Sequence, residues 1–202
     1  MEDARKNIIE KVGALYMRYG VKSVTMDDVA RHLGISKKTL YTYVKDKNEL
    51  VQLIVDSQIE EHISQDNHLA SLNLSALEEM LVVFKTVSEI LQNLNPSYQY
   101  DLIKYYPQLN DKFMKFKEKQ LYKNIRENLI KGKKEGIYRK EINEDIIAKM
   151  NTDRNIAMFA EGDDQKWFKK ETFKEVFFYH MHAILNENGR NELKQKNFFQ
   201  NT

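Results

Sequence analysis

Eleven residues at positions 34–44, "GISKKTLYTYV", concentrate hydrogen-bond donors and cations in one short segment. If Leu40 and Val44, four residues apart, face the interior of a helix, the remaining side chains carry ammonium and hydroxyl groups and no carboxylate. These side chains are Ser36, Lys37, Lys38, Thr39, Tyr41, Thr42 and Tyr43. Such a surface donates to phosphate oxygens and base edges without repelling them, so it favours contact with double-stranded DNA.

The order of these residues along the segment predicts two kinds of DNA contact. The N-terminal residues of a recognition helix reach base edges in the major groove, where lysine donates to guanine and a threonine methyl packs on thymine. We therefore predict base-edge contacts from Lys37, Lys38 and Thr39. Tyr41 and Tyr43 each carry a hydroxyl on a long, rigid ring, and we predict that they contact flanking phosphates.

The surrounding sequence predicts a helix-turn-helix that would hold these side chains. Thr25 is suited to cap a short helix over "MDDVARHL", and Gly34 to end it with a positive φ. Ser36 can then cap a second short helix over "KKTLYTYV". Thr25 and Lys47 each lie near the start of a helix, where free backbone N–H groups bind anions. Both are therefore predicted to contact phosphates on either side of the reading helix.

Residues 31–47 carry a surplus of positive charge that is larger than the net charge of the whole chain. The net charge is +2, whereas residues 31–47 contain five basic residues and one acidic residue. A solvated basic helix face without any partner would also explain an isolated "SKK". The glycine turn, the two caps, the short helices and the local surplus of positive charge together favour DNA binding instead.

Composition predicts an all-α protein. The chain has 202 residues, of which 42% are hydrophobic, and only two prolines and seven glycines interrupt its helix-forming segments. The absence of cysteine excludes disulfides, thiolate metal sites and cysteine nucleophiles. No signal peptide and no membrane-spanning run is predicted, so we expect a cytoplasmic protein without a membrane partner.

The simplest organisation is two helical domains, residues 1–48 and residues 49–202. The second domain is the larger, and its last two long helices are predicted near residues 144–159 and 171–188. Gly189 is expected to end the second of these helices.

Aromatic and methionine side chains gather in the middle of the chain and could line an apolar ligand pocket. They are Met80, Phe84, Tyr98, Tyr105, Tyr106, Phe113 and Met114. Such residues at helical spacing more often pack in a core, so the core alternative stays open for each of them.

Two polar residues lie on predicted apolar helix faces. Arg154 shares a face with Ile147 and Met150, where it could meet an anionic ligand group or an interface carboxylate, or extend to solvent. His180 shares a face with Phe177 and is predicted to be a packed interface histidine, because its spacing from His182 does not suit a metal site.

The segment "TMDDVARHLGISKKTLYTYVKDKNEL" resembles the N-terminal DNA-binding domain of TetR-family transcriptional regulators, with the match extending from about Ile8 to Leu53. The matching residues, at the family's spacing, are Thr25, Val29, Ala30, Gly34, Ile35, Ser36, Thr39, Leu40, Tyr41, Tyr43, Lys47, Glu49 and Leu50. Lys38 stands where the family often has glycine, and Val44 where it often has phenylalanine.

This resemblance implies a three-helix helix-turn-helix domain followed by a larger helical domain for ligand binding and dimerisation. It further implies a homodimer that pairs through the last two long helices, a near-palindromic operator, and an unidentified small molecule that releases a repressor from DNA. The fourth helix would link the two domains.

Two other classes of function stay open at this point. A helical architectural protein would bind DNA without sequence preference and without a ligand response. An enzyme would need reactive groups, but the sequence has no nucleophile elbow, phosphate-binding glycine loop, metal-spaced histidine cluster or persuasive carboxylate pair. No catalytic residue, metal site or cofactor is therefore predicted.

Overall fold

The computed structural model describes residues 2–93, 95–160 and 170–196, and it is built from helices. In chain order these are α1 (Glu2–Tyr19), α2 (Met26–Leu33), α3 (Lys37–Leu40), α4 (Lys47–Ser71), α5 (Ala76–Asn93), α6 (Pro96–Tyr105), α7 (Pro107–Lys134), α8 (Glu144–Ala160), α9 (Lys170–Ile184) and α10 (Glu187–Gln195). An isolated β-bridge joins Tyr138 and Leu185, and the described residues contain no strand. The prediction of an all-α protein is confirmed.

The chain divides into two compact units. The first contains Met1–Asp66 and Asn93–Lys115, and the second contains Asn67–Gln92 and Phe116–Thr202. The first unit therefore holds the helix-turn-helix together with most of α4 and all of α6. The boundary predicted at residue 48 falls at the beginning of α4.

The core of the first unit forms beneath the helix-turn-helix. Val12 and Tyr16, four residues apart on one face of α1, are fully buried with Val29 of α2 and Leu40 of α3. Val44, where phenylalanine is common in the family, is also buried in this cluster. The inward faces of α1, α2 and α3 thus cover one another, which fixes the outward face of α3.

Helix α6 packs against the connection between α1 and α2 within the same unit. Gly20 has a φ of +82°, and a Cβ at this position would lie 2.9 Å from Oδ2 of Asp101. The same Asp101 oxygen accepts a hydrogen bond of 2.7 Å from the backbone N–H of Lys22. Asn95, the cap of α6, donates a hydrogen bond of 2.6 Å to the carbonyl of Arg18.

The core of the second unit contains a cluster of phenylalanines. The ring of Phe84 in α5 lies 4.6 Å, centroid to centroid, from Phe177 of α9 and also contacts Phe173 and Phe178. Elsewhere in this core, the hydroxyl of Tyr138 donates a hydrogen bond of 2.9 Å to Oδ1 of Asn128.

The prediction that Gly189 ends the last long helix was wrong. Helix α9 ends at Ile184, and α10 begins after Asn186, whose side chain caps it by accepting a hydrogen bond from the N–H of Gly189. Gly189 is buried inside α10, where a Cβ would lie 2.4 Å from the carbonyl oxygen of Ile137. The glycine is therefore required by a close approach of two backbone segments.

Candidate nucleic-acid interface

Helix α2 begins with a capping box. The Oγ1 of Thr25 accepts a hydrogen bond of 3.2 Å from the N–H of Asp28, and Oδ2 of Asp28 accepts one of 2.9 Å from the N–H of Thr25. The hydroxyl of Thr25 also donates to the Asp28 carboxylate, and these bonds lower the pKa of Asp28. A phosphate at this helix end would therefore compete with Asp28 for the Thr25 hydroxyl.

The turn between α2 and α3 is set by Gly34. Its φ of +68° and ψ of +27° lie in the left-handed region, and its N–H donates a hydrogen bond of 3.1 Å to the carbonyl of Arg31. A Cβ at Gly34 would meet no atom within 4 Å. Glycine is therefore favoured here by backbone conformation alone, as the sequence predicted.

Helix α3 is shorter than the eight residues predicted for it. Ser36 caps it by accepting a hydrogen bond of 3.0 Å from the N–H of Thr39, as expected. After Leu40 the N–H groups of Thr42 and Tyr43 bond to the carbonyls three residues earlier. The hydroxyl of Thr42 also donates to the carbonyl of Thr39, and this side-chain bond favours the tighter turn.

The two tyrosines that follow α3 have different surroundings. Tyr41 is exposed, whereas Tyr43 is half-buried and packs against the core of the first unit. Tyr41 therefore presents its ring and its hydroxyl to solvent next to the lysines of α3. Tyr43 presents less of its side chain, and its phosphate contact stays a prediction.

The three lysines assigned to DNA contact also differ from one another. The Nζ of Lys37 lies 2.9 Å from the carboxylate of Asp27, while Lys38 is exposed and has no side-chain partner in the described parts of the chain. The Nζ of Lys47 donates a hydrogen bond of 2.6 Å to the carbonyl of Val24, and partial burial lowers its pKa. An ammonium group has three donors, so this bond leaves two for a phosphate.

Sequence reasoning missed the role of Asp27. Asp27 lies in the first turn of α2, and its pairing with Lys37 was not predicted. One feature of the sequence could have indicated this pair. Asp27 lies ten positions before Lys37, and in a helix-turn-helix that spacing places both near the crossing of the two helices. Asp28, next to it, offered the same signal and does not pair with Lys37.

The residues predicted to bind a ligand do not lie in one unit. Met80, Phe84 and Arg154 belong to the second unit. The first unit holds Tyr98, Tyr105, Tyr106, Phe113 and Met114. Phe84 and Tyr98 are buried in the cores of their own units, as the core alternative for them expected.

The outer surface of α6 carries one of these residues. Tyr105 is exposed, and its hydroxyl accepts a hydrogen bond of 2.6 Å from the Nζ of Lys22, which lowers the pKa of Tyr105. The tyrosine thus faces a lysine of the α1–α2 connection, in the same unit as the helix-turn-helix.

Arg154 belongs to a polar cluster inside the second unit. Its Nη2 donates a hydrogen bond of 2.5 Å to Oδ1 of Asn151, and Nδ2 of Asn151 lies 3.1 Å from Nδ1 of His180. Burial, and then the charge of Arg154, lower the pKa of His180 to about 4, so its ring is neutral and Nδ1 accepts from Asn151. The Nε of Arg154 is buried without a hydrogen-bond partner among the described residues.

The described residues hold neither a metal-binding cluster nor a membrane-spanning helix. They contain no group of three or more histidine, aspartate or glutamate side chains able to hold a metal ion. None of their helices combines the length and apolar character needed to cross a bilayer.

Comparison with known proteins places the candidate interface in a family. The model of the bacterial regulatory proteins of the tetR family matches residues 8–54. The transcriptional regulator YvaF of Bacillus subtilis (strain 168), which is itself uncharacterized, is 32% identical over 103 residues, 50% of this chain and 53% of YvaF. The chain thus spans about half the length of this curated relative.

Solved structures share the fold over nearly the whole chain. A transcriptional regulator from Cytophaga hutchinsonii ATCC 33406 has a TM-score of 0.68 and 17% identity, covering 90% of this chain and 98% of the other. KstR2 of Mycobacterium tuberculosis, a ketosteroid transcriptional regulator, has a TM-score of 0.59 and 16% identity, covering 91% and 96%. At these identities the likeness shows the fold, an N-terminal helix-turn-helix with a larger helical domain.

The relatives and fold neighbours are transcriptional regulators and not enzymes. The family model covers the capped helices, the glycine turn and the lysines of α3, the same residues that carried the resemblance in the sequence. The resemblance is therefore confirmed: residues 8–54 match the bacterial regulatory proteins of the tetR family, and the curated relatives are transcriptional regulators.

Proposed function

We propose that the protein is a sequence-specific DNA-binding regulator, a homodimeric repressor that a small molecule releases from a near-palindromic operator. The observation that carries this proposal is the exposed face of α3, where Lys37, Lys38 and Tyr41 project from a short helix fixed by Ser36 and a buried Leu40. We further propose that it acts in the cytoplasm, where operator DNA lies.

Base-edge readout is assigned to the N-terminal end of α3. Lys38 is the best candidate because it is exposed and unpaired among the described residues, so no existing bond has to break when it meets a guanine. Lys37 and Thr39 contribute from the same turn. Tyr41, Tyr43, Thr25 and Lys47 are assigned to the phosphate backbone on both sides.

The surfaces of α8 and α9 support a homodimer. Ile146 and Met150, four residues apart on α8, are 63% and 56% exposed, and Tyr179 on α9 is 71% exposed. Large apolar side chains on two neighbouring helices lose water contact when a second copy packs its own α8 and α9 against them. A two-fold dimer presents two recognition helices to two half-sites, which requires a near-palindromic operator.

The polar cluster around Arg154 supports a ligand with an anionic group. Among the described residues, the partly buried guanidinium of Arg154 bonds to a neutral amide and pairs with no carboxylate, although such groups usually have a counter-charge. KstR2, which shares this fold, is a ketosteroid transcriptional regulator. A ligand would release DNA only if it binds two arrangements of the DNA-binding helices with different affinity.

The test is a selection of bound sequences from a random DNA pool with the purified full chain at physiological salt. Enrichment of an inverted repeat is expected, and Lys38→Ala should change the preferred base at a matching position in each half-site. A folded protein that binds DNA without enriching any sequence would contradict the proposal and favour the architectural alternative.

A further inference from the structure

An ion pair connects the two helices of the helix-turn-helix on the surface assigned to DNA. The Nζ of Lys37 lies 2.9 Å from Oδ1 of Asp27 and 3.1 Å from Oδ2, so both carboxylate oxygens face the same ammonium group. Lys37 is the first residue of α3, and Asp27 is the second residue of α2. Both side chains are more than half exposed, which leaves the pair open to a phosphate or a base edge.

The neighbouring charged residues have other surroundings. Asp28 is engaged in the capping box with Thr25 and lies 3.6 Å from Arg31. Lys38 has no side-chain partner within the residues described. Asp27 and Lys37 therefore form a pair that the cap of α2 does not need.

The position of Lys37 explains why it needs a carboxylate nearby. The N-terminal end of a helix carries a partial positive charge, which disfavours a cation at the first helical residue, and the first turn of α3 contains no acidic residue. Asp27 supplies the missing negative charge from the adjacent helix. An ammonium group has three donors, so Lys37 can keep Asp27 and still donate to another acceptor.

We propose that Asp27 is a specificity-determining residue that penalises phosphate contact by Lys37 and leaves the lysine available to base edges. A carboxylate repels a phosphate brought to the same ammonium group, whereas guanine O6 and N7 are uncharged acceptors. The pair therefore weakens binding to non-specific DNA more than binding to the operator. This inference rests on the DNA-binding function proposed above.

The test compares Asp27→Asn, Lys37→Ala and the double variant with the wild-type chain. Asparagine keeps the shape and an acceptor oxygen but removes the charge. Glu60→Gln is the matched control, because it removes an exposed carboxylate from α4 about 20 Å along the helix from Lys47. Fluorescence anisotropy gives the affinities for the selected duplex and for a scrambled duplex of equal length and composition, each at several salt concentrations.

For Asp27→Asn we expect the affinity for the scrambled duplex to rise roughly fivefold, the upper range for one exposed charge pair. Its salt slope should steepen by about 0.9, because Lys37 then neutralises a phosphate. The affinity for the selected duplex should rise less, so the specificity ratio, which is the affinity for the selected duplex divided by that for the scrambled duplex, should fall. In the Lys37→Ala background the same substitution should change the ratio little, and Glu60→Gln should behave like the wild type.

The inference would be overturned if Asp27→Asn raised the affinity for both duplexes equally. It would also be overturned if Asp27→Asn lowered the specificity ratio by the same factor in the Lys37→Ala background. Asp27→Glu, which keeps the charge, should retain the wild-type ratio, and it provides a second readout if Asp27→Asn is poorly folded by circular dichroism. A wild-type chain that selects no sequence would instead refute the proposed function, so the two failures are distinguishable.

Discussion

The carboxylate of Asp101 in α6 accepts a hydrogen bond of 2.7 Å from the backbone N–H of Lys22, between α1 and α2. This bond, with the one from Asn95 to the carbonyl of Arg18, holds α6 to the same unit as the helix-turn-helix. The sequence predicted α4 as the element that links the two domains. The structure shows that α6 also contacts the DNA-binding helices directly.

Replacing Asp101 by alanine should destabilise the first unit. The substitution leaves a partly buried N–H group without an acceptor, which costs about 1–3 kcal/mol of unfolding free energy. Urea unfolding followed by circular dichroism measures this loss. Asp111→Ala is the control, because the exposed Asp111 bonds to Lys115 alone among the described residues, and its loss should cost far less. Equal stability of the two variants would show that the Asp101 bond contributes little.

Alanine should be tolerated less well at Gly20 than at Gly34. Both glycines have positive φ values, so alanine at either costs about 1 kcal/mol through the backbone. At Gly20 the new Cβ would also lie 2.9 Å from Oδ2 of Asp101 and 3.1 Å from the Cβ of Ser97, whereas Gly34 has open space around it. Thermal unfolding should rank Gly20→Ala below Gly34→Ala, and the reverse order would contradict the packing of α6 on Gly20.

Stability should fall in mild acid because of His180. Burial lowers its pKa from the ordinary value of 6.5 to about 4 in the folded protein, so the unfolded state binds the proton more readily. The neutral His180 contributes its full stabilisation above about pH 6.5, and this contribution is lost as the pH falls to about 4. The free energy of unfolding should fall by roughly 3 kcal/mol at most over this range. His180→Asn should flatten this part of the pH profile. A wild-type profile that is flat between pH 6.5 and 4 would contradict a buried neutral His180.

A charge introduced on α8 should prevent dimerisation. Met150→Lys places an ammonium group on the exposed face of α8 beside Ile146, where a packed interface would desolvate it. Analytical ultracentrifugation should show a folded monomer, while Ile63→Lys, at an exposed apolar position on α4, should stay dimeric. A dimeric Met150→Lys chain would exclude this surface as the interface.

Local signals in the sequence were sufficient for the helix-turn-helix but not for its surroundings. Thr25, Ser36 and Gly34 act on residues within five positions, so their cap and turn roles followed from residue type and order. Asp101 bonds to a residue 79 positions away, and no local pattern indicates that contact.

Two other features depend equally on tertiary structure. Gly189 resembled a helix stop by residue type, but the approach of the Ile137 carbonyl decides its role. Asp27 and Asp28 are equivalent in the sequence, and only the crossing of α2 and α3 determines which of them meets Lys37.

The most direct test of the account is the effect of Lys38→Ala on sequence discrimination. Lys38 is the exposed lysine of α3 that no described side chain engages, and Lys119→Ala, at an exposed lysine of α7, is the control. For Lys38→Ala we predict a loss of about ten- to a hundredfold in affinity for the selected duplex and a small change on a scrambled duplex, with no change for Lys119→Ala. Equal loss on both duplexes, or no loss on either, would contradict base reading by α3.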